Sequence, residues 1–128
     1  MIRRVRPPIR ATALAIGLAA CGGPDGISVT PVTLSSRDIG AATAHVAARM
    51  RRPDQVQFRA PQGFRTRAGD TILCGEYDAA IGPNDWAGFA PFYVRLRAGV
   101  VRVAHLGDGL GGPACAAARR GRVRVMPG

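Results

Sequence analysis

The sequence of 128 residues contains no lysine, so arginine supplies every formal positive charge. Eighteen arginines against eight acids give a formal net charge of +10. A surface with such an excess can attract nucleic acid, anionic lipid or anionic glycan. An arginine excess without lysine is also typical of a GC-rich genome, and we favour this compositional interpretation. Charge alone therefore does not indicate a nucleic-acid-binding protein.

The sequence also lacks a hydrophobic run long enough to span a membrane. Its first apolar run covers residues 11–20 (ATALAIGLAA) and follows a basic segment, residues 1–10 (MIRRVRPPIR). Ten helical residues reach roughly 15 Å, about half of the hydrocarbon thickness of a bilayer. A basic segment followed by a short apolar run is the pattern of an export signal. We therefore predict a signal peptide over residues 1–20.

The apolar run ends in Leu18-Ala19-Ala20-Cys21, which resembles the lipobox of bacterial lipoproteins. In those proteins small residues precede a cysteine whose thiol accepts diacylglycerol and which becomes the new N-terminus. The resemblance implies that Cys21 carries lipid, including palmitate, and that this lipid holds the chain to a membrane. An ordinary signal peptide with a cysteine there by chance is the alternative. Export makes nucleic acid an unexpected partner.

The remaining chain has room for one domain. Residues 21–35 begin with a glycine- and proline-rich stretch and show no clear periodicity, which predicts a flexible tether. Residues 36–128 suffice for one small domain and are too few for two. With Gly 17 and Pro 10 in the chain, we expect a modest core between many turns.

Local patterns predict an α+β fold. A capping box over residues 35–38 (SSRD) begins a helix, and Pro53 ends it. Alternating or apolar segments predict four strands, at residues 56–60, 71–80, 89–97 and 100–106. Pro61 suggests that the first of these is an edge strand. A short helix at 114–120 and a strand or tail at 121–126 complete a fold in which the N-terminal helix packs on a small antiparallel sheet of four or five strands.

Cysteine is scarce, with three residues in the chain. If Cys21 carries lipid, Cys74 and Cys115 remain as a pair, and an oxidising compartment favours a disulfide between them. Such a bridge would stabilise the domain by roughly 4 kcal/mol in the chain-entropy model. Two free buried thiols are the alternative. With no C-x-x-C motif and no His or Cys cluster, the sequence predicts neither a metal nor a cofactor.

Few groups suggest catalysis. Glu76 and Asp78 lie two apart on a strand, a spacing that acid/base pairs use and that a solvent-facing stripe also has. Neither His45 nor His105 has a local catalytic partner. Residues 107–112 (GDGLGG) match G-x-G-x-x-G, but a helix of about two turns and the lack of a following acid favour a plain glycine turn. We therefore expect no enzymatic activity.

Aromatic residues make up 5% of the chain, and four of the seven fall between Tyr77 and Phe92. We favour a core role for them, although a binding loop is the alternative, with Glu76, Asp78, Trp86 and Phe89 as its candidate residues. A basic face on the last hairpin is a second candidate surface. Its residues are Tyr93, Arg95, Arg97 and Arg102, and it is either a solvated face or a surface for anionic glycan, lipid or protein.

Three segments also carry a family resemblance: residues 52–59 (RPDQVQFR), 74–76 (CGE) and 88–92 (GFAPF). They resemble the D-P-x-S-x-x-F-R, C-G-E-x-N-A and G-G-Y-x-G-F-x-x-F patterns of a family of small exported proteobacterial proteins of unknown function. The sequence departs from these patterns at Arg52, Gln55, Asp78, Asn84-Asp85 and Trp86. The resemblance implies an exported domain and supplies no activity.

Together these features predict a lipid-anchored cell-envelope protein that faces the periplasm, with the outer membrane favoured over the inner. Its domain is expected to bind or brace another envelope component without chemistry of its own. The alternative is an inhibitor or ligand-binding module that acts on a cell-wall enzyme or an anionic glycan through the loop of residues 81–89.

Overall fold

The computed structural model describes residues 26–124, so the predicted signal peptide and Cys21 lie outside the described residues. Seven strands and two helices occur within this range. In chain order they are β1 (Ile27–Val32), α1 (Ser36–Ala48), β2 (Val56–Thr66), β3 (Thr71–Gly82), β4 (Asp85–Trp86), β5 (Ala90–Arg97), β6 (Val100–Leu106), α2 (Gly111–Arg119) and β7 (Arg122–Val123).

The strands form one curled antiparallel sheet with the order β6-β5-β3-β2-β1-β7. Strand β3 is central, since it pairs with β2 along one side and with β5 along the other. The short β4 folds back onto the end of β3. The fold is therefore a mixture of helices and antiparallel sheet, which agrees with the predicted class in its coarse form.

Helix α1 covers one face of the sheet. It begins where the capping pattern indicates, because the Ser35 side chain accepts a hydrogen bond from the Asp38 backbone N–H at 3.1 Å. Ala42 and Val46 are fully buried on its inner side. The sheet residues below it are Leu73, Phe92, Val94 and Leu96.

Helix α2 covers the opposite face. It is bonded to Cys74, whereas the adjacent Leu73 lies below α1, and successive strand residues point to opposite sides of a sheet. Its Cys115 is bonded to Cys74 of β3, with the two Cα atoms 5.7 Å apart. The predicted disulfide is thereby confirmed. The buried neighbours on this face are Val29, Phe64, Ile72, Tyr93, Ala118 and Val123.

The prediction of a flexible tether over residues 21–35 is wrong at residues 27–32, which form β1. Val29 is 6% exposed, and its backbone N–H donates to the Gly121 carbonyl at 3.0 Å. The strand also pairs with β2 and β7, so distant partners hold it in the sheet. The predicted N-terminal position of the helix is not confirmed either, since β1 precedes α1.

The sheet is larger than the four or five predicted strands. Strand β2 continues through Pro61 to Thr66, because a register shift between Arg59 and Gln62 accommodates the proline, and Ala60 adopts a φ of 54° there. Its first half pairs with β3 alone, and its second half also pairs with β1. The predicted edge is therefore correct for the first half of β2 only.

Two further strands are short. Strand β4 lies inside the predicted loop of residues 81–89, where Trp86 pairs with Ala80. Strand β7 takes the place of the predicted strand or tail at 121–126, of which residues 125 and 126 lie outside the described range. No helix between residues 26 and 124 is long and apolar enough to cross a membrane.

Candidate ligand-binding site

The structure brings two of the four predicted loop residues together through a third side chain. The Arg59 Nε donates to the Glu76 carboxylate at 2.6 Å. The same guanidinium lies over the Phe89 ring, with its carbon 3.6 Å from the ring centroid. Glu76 therefore joins an ion pair that is capped by an aromatic ring, and its carboxylate is engaged on the sheet surface.

The other two predicted loop residues have different environments. Asp78 is 7% exposed, and its carboxylate accepts a hydrogen bond from the Gly88 backbone N–H at 2.9 Å. This bond holds the end of the loop against β3, where Gly88 has a φ of 98°. Trp86 is 39% exposed on β4. Glu76, through Arg59, and Asp78, through Gly88, thus both contribute to holding the loop against the sheet.

A cavity of about 470 Å³ lies between this loop and the end of α1. Tyr77, Ile81 and Phe89 contribute to its walls, and Arg49, Arg51 and Asp108 contribute charged groups. The charged groups of this cavity are therefore of both signs, unlike those of the cavity described next.

A second cavity, here called the α2 pocket, has a volume of about 390 Å³ and lies between α2 and strands β5 and β6. Tyr93 pairs with His105 and Arg95 pairs with Val103, so these four side chains form two adjacent rungs on one face of the sheet. They are the floor of the pocket. Its walls and mouth comprise Gly109, Leu110, Pro113, Ala114, Ala117, Arg120, Val123 and Arg124.

The pocket exists because α2 presents small residues to this part of the sheet. Cys115 and Ala118 are buried against the core, which directs Ala114 and Ala117 towards the pocket. Gly111 lets the start of the helix approach the sheet, since a Cβ there would lie 2.6 Å from the Pro91 carbonyl oxygen. The disulfide then fixes the distance between α2 and β3.

Arg95 on the pocket floor shares one buried carboxylate with Arg97. Asp70, with a side chain 6% exposed, accepts hydrogen bonds from Arg97 at 2.8 Å and 3.3 Å. The Arg95 Nε lies 3.7 Å from the same carboxylate and has no hydrogen-bond partner among the described residues. Two guanidinium groups therefore face one carboxylate, and Arg95 is the one with an unused buried donor.

The Asp70 carboxylate also changes the pKa of Tyr93 and of Arg97, which lie two residues before and two residues after Arg95. Its hydrogen bond and its charge raise the pKa of Arg97. Burial raises the pKa of Tyr93, which the Arg95 charge lowers and the Asp70 charge raises. The Tyr93 hydroxyl therefore stays protonated at neutral pH and remains a possible donor.

The Tyr93 ring stacks on the His105 ring, with centroids 5.6 Å apart and planes at 25°. This contact gives the floor a flat aromatic part beside the cationic part. Arg120 and Arg124 add positive charge at the mouth, where Leu110 is 62% exposed. No acidic residue lines the pocket within residues 26–124.

Sequence reasoning found part of this site. The predicted basic face of the last hairpin contained Tyr93 and Arg95, which do line the pocket, together with Arg97 and Arg102, which do not. Alternation along β5 puts Tyr93, Arg95 and Arg97 on one face of the strand, so it could not exclude Arg97 from the pocket. The contributions of α2 and of Arg124 could not be found locally, because they depend on how the helix docks on the sheet.

Across the described part of the chain, no group of three or more His, Cys, Asp or Glu side chains is placed to hold a metal ion. The chain matches no protein-family model, and no curated protein or solved structure is detectably similar to it. The resemblance of residues 52–92 to small exported proteins therefore stays a prediction.

Proposed function

We propose that the protein is a lipid-anchored component of the bacterial cell envelope, facing the periplasm, whose folded domain binds a partner or ligand without chemistry of its own. The lipobox-like residues 18–21 support the anchor, and the Cys74–Cys115 disulfide is consistent with an oxidising compartment. The outer membrane remains the favoured location.

One observation carries the binding function: the α2 pocket has donor groups on its floor and apolar side chains on its walls. Arginine guanidinium groups and a protonated tyrosine hydroxyl donate hydrogen bonds to acceptors, and they are poor proton-transfer groups at neutral pH. A concave, largely apolar site with a few convergent polar groups is typical of small-molecule binding.

The binding function is tested by asking whether the α2 pocket takes part in contacts inside the envelope. A photo-crosslinking residue in place of Leu110, at the mouth of the pocket, should capture an envelope molecule in living cells. The same residue in place of Arg102, which is exposed on β6 away from the pocket, is the matched control. Equal capture at both positions would contradict this assignment of the site.

The anchor is tested by metabolic labelling with palmitate in a bacterial host. The unmodified chain should incorporate label and fractionate with membranes, and Cys21→Ser should lose the label and accumulate as an unprocessed precursor. Gly22→Ser is the matched control, since it changes the next residue and leaves the thiol intact. Palmitate incorporation that survives in Cys21→Ser would show that this residue is not the anchor.

The second candidate is an inhibitor or binding module that acts through the loop of residues 81–89. It is favoured by the exposure of Ile81, at 60%, beside Trp86 on the same hairpin. Exposed aromatic side chains are common anchors of protein interfaces. If this loop carries the function, Trp86→Ala should abolish capture of a cell-wall enzyme or retention on peptidoglycan or lipopolysaccharide, whereas changes in the α2 pocket should not.

A further inference from the structure

We infer that the α2 pocket binds an amphiphilic monoanion, a small molecule with one acidic head group and an apolar body. The inference deepens the proposed binding function and rests on it, but it does not depend on the lipid anchor. Three features of the pocket specify this ligand class: the Arg95 guanidinium on its floor, its one-sided charge and its apolar walls.

The head group is specified by Arg95. Its side chain is 12% exposed, and its buried Nε has no hydrogen-bond partner among residues 26–124. A buried donor without an acceptor is unfavourable, and most such groups in proteins find a partner. Because the Arg95 Nε is buried beside Asp70, an acceptor that enters the pocket would bond to the Nη groups of the same guanidinium. The planar guanidinium group favours carboxylate-like oxygens.

The charge of the head group follows from the surrounding residues. Arg95, Arg120 and Arg124 line the pocket without an acidic residue beside them, which favours entry of an anion. The protonated Tyr93 hydroxyl is a further donor on the floor. Arg95, Arg97 and Asp70 form a cluster with a net charge of +1, which one negative charge on the ligand would balance. A monoanion therefore fits better than a dianionic phosphate.

The body of the ligand is specified by the walls. Val103, Ala114 and Ala117 line the cavity, and Leu110 stands exposed at its mouth, where an apolar chain could cover it. The volume of about 390 Å³ lies within the range of roughly 300–1,000 Å³ that is typical of small-molecule pockets. A free inorganic anion would fill little of this space.

The test uses residues 22–128, exported by a bacterial host behind a cleavable signal peptide without a lipobox and purified without detergent. Calorimetry compares octanoate with three probes of equal chain length, namely octanamide, octylammonium and octyl phosphate. Octanoate should bind at least tenfold more tightly than each of them. Equal affinity for octanoate and octanamide would overturn the anionic head group, and tighter binding of octyl phosphate would overturn the monoanion.

Two variants locate the binding. Arg95→Met should weaken octanoate binding by about tenfold or more, which is the loss expected for a hydrogen bond to a charged group. Arg102→Met removes an exposed arginine of β6 outside the pocket and should leave the affinity unchanged. If the Arg95→Met variant and the unmodified protein bind octanoate with equal affinity, the inference is overturned.

Ala117→Phe covers the case in which Arg95→Met does not fold. It fills the pocket from the helix side and leaves the buried charges in place, so it should abolish octanoate binding. Unchanged binding in this variant would place the ligand elsewhere and overturn the inference. Failure of all four probes to bind, with capture at position 110 intact in cells, would overturn the ligand class and leave the proposed binding function standing.

Discussion

The buried carboxylate of Asp70 shows how single residues shape the candidate site. It receives two hydrogen bonds from Arg97, while the Arg95 Nε lies 3.7 Å away without a partner of its own. The Asp70 backbone N–H also donates to the Thr66 hydroxyl at 3.0 Å, which fixes the carboxylate at the turn between β2 and β3. The positive charge of the pocket is thus partly balanced from behind, and its front stays open to an anion.

Replacing Asp70 by asparagine should destabilise the protein. Arg95 would then be a buried guanidinium group without a counter-charge, and losing one partner of a buried ion pair costs about 3 kcal/mol. Urea unfolding followed by circular dichroism would measure the change. Asp85→Asn is the matched control, because Asp85 is exposed on β4. A loss of equal size in both variants would contradict the role given to Asp70.

The ionisation of Tyr93 offers a prediction about pH. Burial raises its pKa, so the folded protein holds this proton more tightly than the unfolded chain, where tyrosine titrates at about 10. The resulting contribution to stability is complete below that pH and is lost as pH rises through the folded-state pKa. We therefore expect Tyr93→Phe to flatten the fall in unfolding free energy at alkaline pH.

Absorbance titration checks the cause directly. The chain has two tyrosines, so Tyr77→Phe leaves Tyr93 as the sole source of tyrosinate absorbance. The midpoint should lie above that of the same variant unfolded in urea. Coincident midpoints in the folded and unfolded states would contradict the burial of the Tyr93 hydroxyl.

At the scale of elements, helix α2 determines whether the pocket exists. The Gly107 carbonyl accepts hydrogen bonds from the N–H groups of Gly111 at 2.8 Å and Gly112 at 3.1 Å, so the glycine turn satisfies the start of the helix internally. The Arg119 side chain donates to Gln62 of β2 at 2.8 Å at the other end. The start of α2 is therefore held by the preceding glycine turn, and its end is held by a hydrogen bond to the sheet.

Gly111→Ala should loosen this attachment. The new Cβ would lie 2.6 Å from the Pro91 carbonyl oxygen and 2.9 Å from that of His105, so the helix must move away from the sheet. We expect a loss of about 1–3 kcal/mol in thermal or urea unfolding, the usual cost of overpacking. Gly109→Ala is the control, since a Cβ there meets nothing within 4 Å. A Gly111→Ala variant as stable as this control would argue against close packing of α2.

Elements formed by local interactions could be predicted from the sequence, and elements formed by long-range pairing could not. The start of α1 and the β5–β6 hairpin lie where local signals place them, since a cap and an Ala98-Gly99 turn act over a few residues. Strands β1 and β7 were missed or left open because they pair with distant parts of the chain, and β4 was missed because it has only two residues. The α2 pocket depends on the docking of a helix, so its floor was partly foreseen and its walls were not.

At the scale of the whole molecule, the disulfide joins the two parts that make up the site. It links central strand β3 to α2 across 41 residues of sequence, and on this face the core includes Phe64, Ile72 and Val123. The opposite face is closed by α1, whose Val46 packs over Phe92 and Leu73 without any covalent link. The molecule thus has one face held by packing alone and one face held by packing and a covalent bond.

This asymmetry predicts how the protein responds to loss of the disulfide. Changing Cys74 and Cys115 together to alanine should lower the unfolding free energy by about 4 kcal/mol, because the open chain gains the entropy that the loop closure removed. Amide hydrogen exchange should accelerate most in α2 and around the pocket. The amides of α1 should accelerate only as much as the lower global stability requires. The same variant should bind octanoate more weakly, because α2 forms one side of the pocket. Uniform acceleration across both helices would mean that α2 is held by its packing and that the disulfide adds only global stability.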